Sequence, residues 1–355
     1  MTAVHVVVPE GVDDPTRPSG GNVYDRRICR GLAEVGWSVQ VRPVPGSWPC
    51  PEPWARTALA DLMAGIPEQV VVVLDGLVAS AVPEVLVPEA GRLRLVVLVH
   101  MPLGSAATGV DVPDVRAREL AVLSAAAAIV TTSEWTRCWL VDTYGLRADA
   151  VHVVEPGVDV ADLAAGTTSG GRLLCVAAVT PHKGHDVLLA ALATVADLDW
   201  CCSCVGTLAR DPEFVARLGD QARCEGIADR VSFPGPRTGA DLEATYAAAD
   251  VLVLASRAET YGMVVTEALA RGLPVVAAAA GGVPEALGRA GDGSRPGLLV
   301  PVDDPPALGA ALRGWLSDAE LRRRLRAAAG ERRATLSGWS DASETLSRVL
   351  EGVAR

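Results

Sequence analysis

Short runs of consecutive apolar residues, rich in valine, recur from one end of the chain to the other. Each is followed by a stretch in which apolar positions return at helical spacing. Uninterrupted apolar runs of four to seven residues are what a strand buried on both faces looks like, and alternation with helices implies parallel strands. In the first half the pattern predicts strands at 4–8, 38–41, 70–74, 93–99, 128–131 and 151–154, with helices at 22–35, 54–64, 113–127 and 134–144. The second half repeats the plan. Its strands fall at 173–177, 200–205, 231–233, 251–254, 274–277 and 298–300. Its helices fall at 185–195, 211–225, 241–248, 264–271 and 284–287, with three more after Pro305.

The break comes at 156–171, where 161–171 is small, polar and Gly-rich, as linkers are. The chain therefore divides into an N-terminal domain at 1–160, a linker at 161–171 and a second domain at 172–335. A last helix at 336–355 is expected to pack back toward the first domain. The length of 355 residues agrees, because single cores rarely grow past about 250–300 residues. The expected fold class is α/β, with two doubly wound, Rossmann-like domains facing each other across a cleft. Ligands of such sheets bind at the carboxyl ends of the strands.

Composition narrows the partners. A net charge of −11 argues against nucleic acid and against electrostatic attachment to anionic membranes. The apolar runs fall far short of the roughly 20 residues a membrane span needs. The start of the chain enters a strand directly rather than a basic leader, so a soluble cytoplasmic protein is expected. Eight cysteines are present, and only Cys201, Cys202 and Cys204 cluster. Without a Cys-x-x-Cys pair or a second cluster, they read as reduced, small apolar strand residues rather than a zinc site. The Pro-rich stretch 43–54 carries Trp48 and Trp54, which either pack on their own domain or offer a flat face to an acceptor.

The candidate chemistry begins with Lys183. It is the one lysine among 32 Lys and Arg residues, and it lies in a Pro/Gly turn between a strand and a helix. A flexible point charge there suits a phosphate. Further on, Glu259 and Glu267 stand eight positions apart around Gly262, where a helix is expected to begin. The free N–H groups of its first turn, at Gly262, Met263 and Val264, form an anion site favoured by the helix dipole. A carboxylate on each side of a bound diphosphate suits sugar hydroxyls. No metal site is read: Asp197 and Asp199 precede a strand at the wrong end for chemistry, and Asp303–Asp304 reads as a turn and helix cap. No Gly-x-Gly-x-x-Gly follows the first strand, which argues against a nicotinamide dehydrogenase.

The Glu259/Glu267 segment resembles the Glu-x7-Glu signature of retaining glycosyltransferases of the GT-B fold, of the family-four (group 1) type. Other stretches are similar to that family in its order. They include Gly20 and Gly21 after the first strand and His100 at the end of an apolar strand. They continue with the Pro-Gly-Val-Asp run 156–159, the Pro-His-Lys-Gly turn at 181–184, and the loop with Phe233, placed beside the nucleotide base. The resemblance covers nearly the whole chain.

It implies transfer of a sugar from a UDP- or GDP-linked donor to a small-molecule, glycan or lipid-linked acceptor, with retention and without a metal or other cofactor. His100, Lys183 and Glu259 would be catalytic. Gly20, Gly21, Phe233, Gly262, Met263, Val264 and Glu267 would join Lys183 and Glu259 in binding the donor. Glu267 would take the ribose, Glu259 the sugar hydroxyls, and Gly21 and Lys183 the diphosphate. One position departs from the family, which usually has an arginine five residues before the lysine; here it is Ala178. Arg257 is a candidate substitute. The departure leaves as alternatives a sugar-nucleotide-binding partner subunit without catalysis, or a GT-B epimerase or hydrolase.

Overall fold

A computed structural model describes residues 2–12, 14, 19–106 and 111–355. They form two compact units. The first holds six strands: β1 (Ala3–Pro9), β2 (Ser38–Val44), β3 (Val71–Asp75), β4 (Arg94–Val99), β5 (Ala128–Thr131) and β6 (Val151–Val153). All pair in parallel, in the order β2-β1-β3-β4-β5-β6. The second holds β7 (Arg172–Val176), β8 (Cys201–Val205), β9 (Val231–Gly235), β10 (Val251–Leu254), β11 (Val275–Ala278) and β12 (Gly297–Val300), also parallel, in the order β12-β11-β10-β7-β8-β9. Each sheet reverses direction once, between β1 and β3 in the first and between β7 and β10 in the second. Those reversals are the switch points at which loops diverge and a crevice opens at the strands' carboxyl ends.

Helices cover both faces, and each sheet is therefore sandwiched between two apolar layers. This explains the unbroken apolar strands: β3 and β10 are buried along their whole length. The pattern misses three short helices in the first unit, Gly76–Ala79, Pro83–Glu89 and Leu103–Ala106, because pieces this short show no full helical period.

Gly20 and Gly21, expected in a loop, form the first turn of the helix Gly20–Glu34. Ser19 caps that helix by accepting from the Asn22 N–H at 3.1 Å. The stretch 161–171, read as a linker, is tied into the second unit. The Ala164 N–H donates to Arg271 O, and buried Asp250 accepts from Thr167 Oγ1 at 2.6 Å and the Arg172 N–H at 2.9 Å. Polar, Gly-rich sequence here serves hydrogen bonding to a carboxylate rather than slack.

The first unit ends its first pass at Gly157 and resumes at Ser337. The helix Trp339–Ala354 lies against Gly20–Glu34, burying Ala342, Leu346 and Leu350 with Tyr24, Ile28 and Leu32. Trp37 Nε1 donates to Ser347 Oγ at 2.9 Å. Trp48 packs on its own unit, whereas Trp54 is 56% exposed. Among the described residues, no helix is long and apolar enough to cross a membrane.

Candidate active site

In the second unit, two loops meet at the switch point. Behind β7, Pro181–Lys183 forms one turn of tight helix, and Gly184 then takes a left-handed conformation (φ 67°) to start the helix His185–Ala193. A Cβ on Gly184 would fall 2.0 Å from the Ala255 carbonyl oxygen, so only glycine fits both the torsion and the space. Behind β10, Ser256 and Glu259 approach the same turn. Lys183 Nζ donates to Glu259 Oε1 at 2.6 Å, and buried Ser256 donates to the same oxygen at 2.8 Å. Both charged side chains are mostly buried, at 21% and 11% exposure. A charge-assisted contact so placed is among the stronger hydrogen bonds a protein makes.

Arg257 is not a second free cation. It chelates Asp186 with two bonds of 2.9 and 2.8 Å and donates to Asp303 at 2.7 Å and to Pro181 O. Its own N–H bonds His182 O. Arg257 thus staples the loop after β10 onto the lysine turn. The Asp186 carboxyl, despite partial burial, is held below the usual range by this guanidinium.

Next along the chain, Gly262 (φ 95°) opens the helix Met263–Ala270, and no side chain caps it. Gly262 is buried, with Met263 and Val264 half-buried beside it. Glu267 sits further down this helix and accepts from the buried Tyr246 hydroxyl at 2.7 Å. Arg271 lies over the Tyr246 ring at 4.5 Å and is held by Glu243. Burial raises the Glu267 carboxyl above its ordinary value, against the opposing pull of the Tyr246 hydrogen bond and Arg271. Glu267 is therefore a fixed, partnered carboxylate rather than a solvated helix charge. Phe233, in the middle of β9, is half-buried against the core with its ring 6.5 Å from that of His185.

The first unit carries a second polar cluster at its own switch point. His100 follows β4. Asp25 comes from the helix after β1, and Asp75 ends β3. His100 Nε2 meets Asp25 Oδ1 at 2.8 Å and lies 4.0 Å from Asp75 Oδ2. Burial opposes charging the imidazole, but the Asp25 carboxylate and its hydrogen bond, helped by Asp75, outweigh it and push His100 up to about 9. Burial and the Asp25 carboxylate push Asp75 up to about 7. Gly21 lies directly against the ring, since a Cβ there would sit 3.3 Å from His100 Cδ2. Tyr24 packs edge-on to His100 and donates to Val154 O at 2.9 Å.

The structure thus brings Lys183 to Glu259 and Gly21 to His100, and gives Glu267 its own partners. Sequence reasoning missed Asp25, Asp75, Ser256 and Tyr246. Asp25 had one usable signal, its place one helical turn beyond Gly21 on the same face. Asp75 had another, as a lone acid at the end of an all-apolar strand.

Residues 3–162 match the model of glycosyltransferase family 4, and residues 168–332 match that of the glycosyl transferases group 1. By sequence, both units thus match glycosyltransferase family models, the second that of group 1. It is 35% identical over 254 residues to D-inositol 3-phosphate glycosyltransferase 1 of Catenulispora acidiphila, a match covering 66% of this chain and 59% of that protein. It is 34% identical over 256 residues to the corresponding protein of Salinispora tropica, covering 64% and 52%. The chain thus spans less than two thirds of these relatives' length. The fold is GT-B. It is similar to sucrose-phosphate synthase from Thermosynechococcus elongatus (TM-score 0.80, 20% identity, 99% of both chains). It is also similar to Anabaena Alr3699/HepE in complex with UDP-glucose (TM-score 0.77, 17% identity, 99% and 100%).

Proposed function

We propose that this chain is a retaining glycosyltransferase that moves a sugar from a nucleotide diphosphate sugar to a hydroxyl acceptor. The observation that carries the reading is the Lys183–Glu259 contact at the carboxyl ends of β7 and β10, next in sequence to a helix start with no side-chain cap. The diphosphate takes Lys183 and the N–H groups of Gly262, Met263 and Val264. Preorganised donors of this kind stabilise the charge that grows on a leaving phosphate. Glu259 then turns to sugar hydroxyls, and Glu267, held by Tyr246, accepts from the ribose. As the anomeric carbon–phosphate oxygen bond breaks, the acceptor oxygen bonds the anomeric carbon on the same face. The acceptor's proton passes to the departing phosphate oxygen, and no protein base is needed.

The UDP-glucose complex of Anabaena HepE supports a uridine-linked donor, and the names of the curated relatives support a phosphorylated polyol as the acceptor to try first. Thermal shift with UDP- and GDP-sugars, followed by mass spectrometry of mixtures with inositol phosphates and other acceptors, tests this. A nucleotide sugar should raise the melting temperature, because a ligand of the native state always does. A glycosylated product should then appear with the donor's anomeric configuration. Stabilisation without turnover against any acceptor would instead favour the noncatalytic partner subunit that Ala178 raises. Free sugar or an epimerised donor, formed without acceptor, would favour the third reading.

A further inference from the structure

Behind the lysine turn, three metal-ligating side chains converge in the second unit's core. Cys175 on β7 and Cys204 on β8 are directly opposite in the parallel register. His185, the first residue of the following helix, points onto the same face, its Nε2 3.7 Å from Cys175 Sγ. The two sulfurs and the imidazole nitrogen all lie within 4.8 Å of one another, and all three residues are buried, at 1%, 0% and 1% exposure. Cys202, also buried, adds a third sulfur 4.0 Å from that of Cys204. Independently, His185 Nδ1 is buried with no hydrogen-bond partner. A core imidazole with one nitrogen against a thiol and the other unpartnered has lost its water without replacement.

We propose that Cys175, Cys204 and His185, with Cys202 as the fourth ligand, form a structural site for a thiophilic d10 cation, Zn2+. Tetrahedral zinc with Zn–S bonds of about 2.3 Å places its ligand atoms roughly 3.8 Å apart. The contacts of 3.7 and 4.0 Å are already near that spacing. Three thiolates, a neutral imidazole and Zn2+ sum to −1, so the cation neutralises most of the charge that the ligating sulfurs bring into the core. The protons of the ligating thiols leave on binding. A further consequence is mechanical. His185 is two residues beyond Lys183, so the metal would pin the end of the Pro181–Gly184 turn.

The test uses the full chain, expressed in zinc-supplemented medium and purified without chelator. Metal analysis should find about one zinc per chain. After removal under reducing conditions, Co2+ should give the visible d–d and thiolate charge-transfer bands of a tetrahedral site, and Zn2+ should abolish them. The double variant Cys175→Val/Cys204→Val, which keeps core volume, should lose both the metal and the cobalt spectrum while remaining folded by circular dichroism. Should it fail to fold, His185→Gln serves as the second variant, with the same loss expected. Cys201→Ser, at an exposed position, should change neither. Less than about a tenth of an equivalent of zinc with no cobalt spectrum in the folded, reduced protein would overturn the proposal. So would metal retained in the folded variants, or a native Cys175–Cys204 disulfide found by mass spectrometry.

Discussion

Lys183 is the one ammonium in a chain that otherwise uses arginine, and its setting explains why the exchange would not be neutral. A flexible stem would let one cation serve Glu259 at rest and, in the proposed function, a phosphate when donor arrives, where a guanidinium fork would be fixed by bidentate geometry. With Ala178 in place of the family's arginine and Arg257 committed to Asp186 and Asp303, no other cation in these two loops is free for that role. Lys183→Ala should therefore weaken UDP binding by roughly 1.5–3 kcal/mol, about ten- to more than a hundredfold, as measured by calorimetry. Unchanged affinity would remove Lys183 from the donor site. The His100 cluster gives a pH signature. The folded Asp75 carboxyl holds its proton to about 7, whereas an unfolded aspartate loses it near 4. The folded state thus binds more protons between those values, and stability contributed by this group falls as pH rises through the window. His100 acts likewise over a higher range: its contribution is complete below about 6.5 and is lost as pH rises through 9. Asp75→Asn should stabilise the protein relative to wild type, increasingly from pH 5 to 8, in urea melts. Parallel curves would contradict the assignment.

At the scale of elements, the site depends on two loops being held rather than on loop sequence alone. The turn Pro181–Gly184 was legible because Pro fixes its start and Gly allows its left-handed end. The helix start at Gly262 was legible because apolar periodicity resumes there. The bonds that hold them were not: Arg257 to Asp186 spans 71 positions and Lys183 to Glu259 spans 76. Gly184→Ala should cost more than the ~1–2 kcal/mol of a left-handed non-glycine residue, because the new methyl also meets the Ala255 carbonyl. The expected result is a lower urea midpoint together with weaker nucleotide binding; a neutral substitution would mean the turn is not constrained as described.

Across the whole molecule, the chain returns to its first unit for its last helix. Leu346 and Leu350 are fully buried there among residues from β1, β3, β4 and the helix Gly20–Glu34. Leu346→Ala should destabilise the first unit by about 2–5 kcal/mol, as loss of a buried leucine typically does. Among the described residues, the core cluster that holds this leucine is built from the first unit's own residues. Two-transition unfolding, with only one transition shifted, is the expected calorimetric trace; a uniform shift would show that the units melt together.

The sequence by itself determined the strands, their parallel pairing and the two-sheet plan, since a strand covered on both faces has to be apolar throughout. It also pointed to Lys183, Glu259 and His100, each in a loop that follows a strand, and to Glu267 in an otherwise apolar helix. Only the tertiary structure decided what those residues touch. Asp25 and Asp75 carried only faint local signals and Ser256 and Tyr246 none, and their importance arises when the fold brings residues distant in sequence within hydrogen-bonding reach. The same holds for the cysteines. Their spacing along the chain argued for plain core residues, and the pairing of β7 with β8 placed two of them beside a buried histidine that has one nitrogen without a partner.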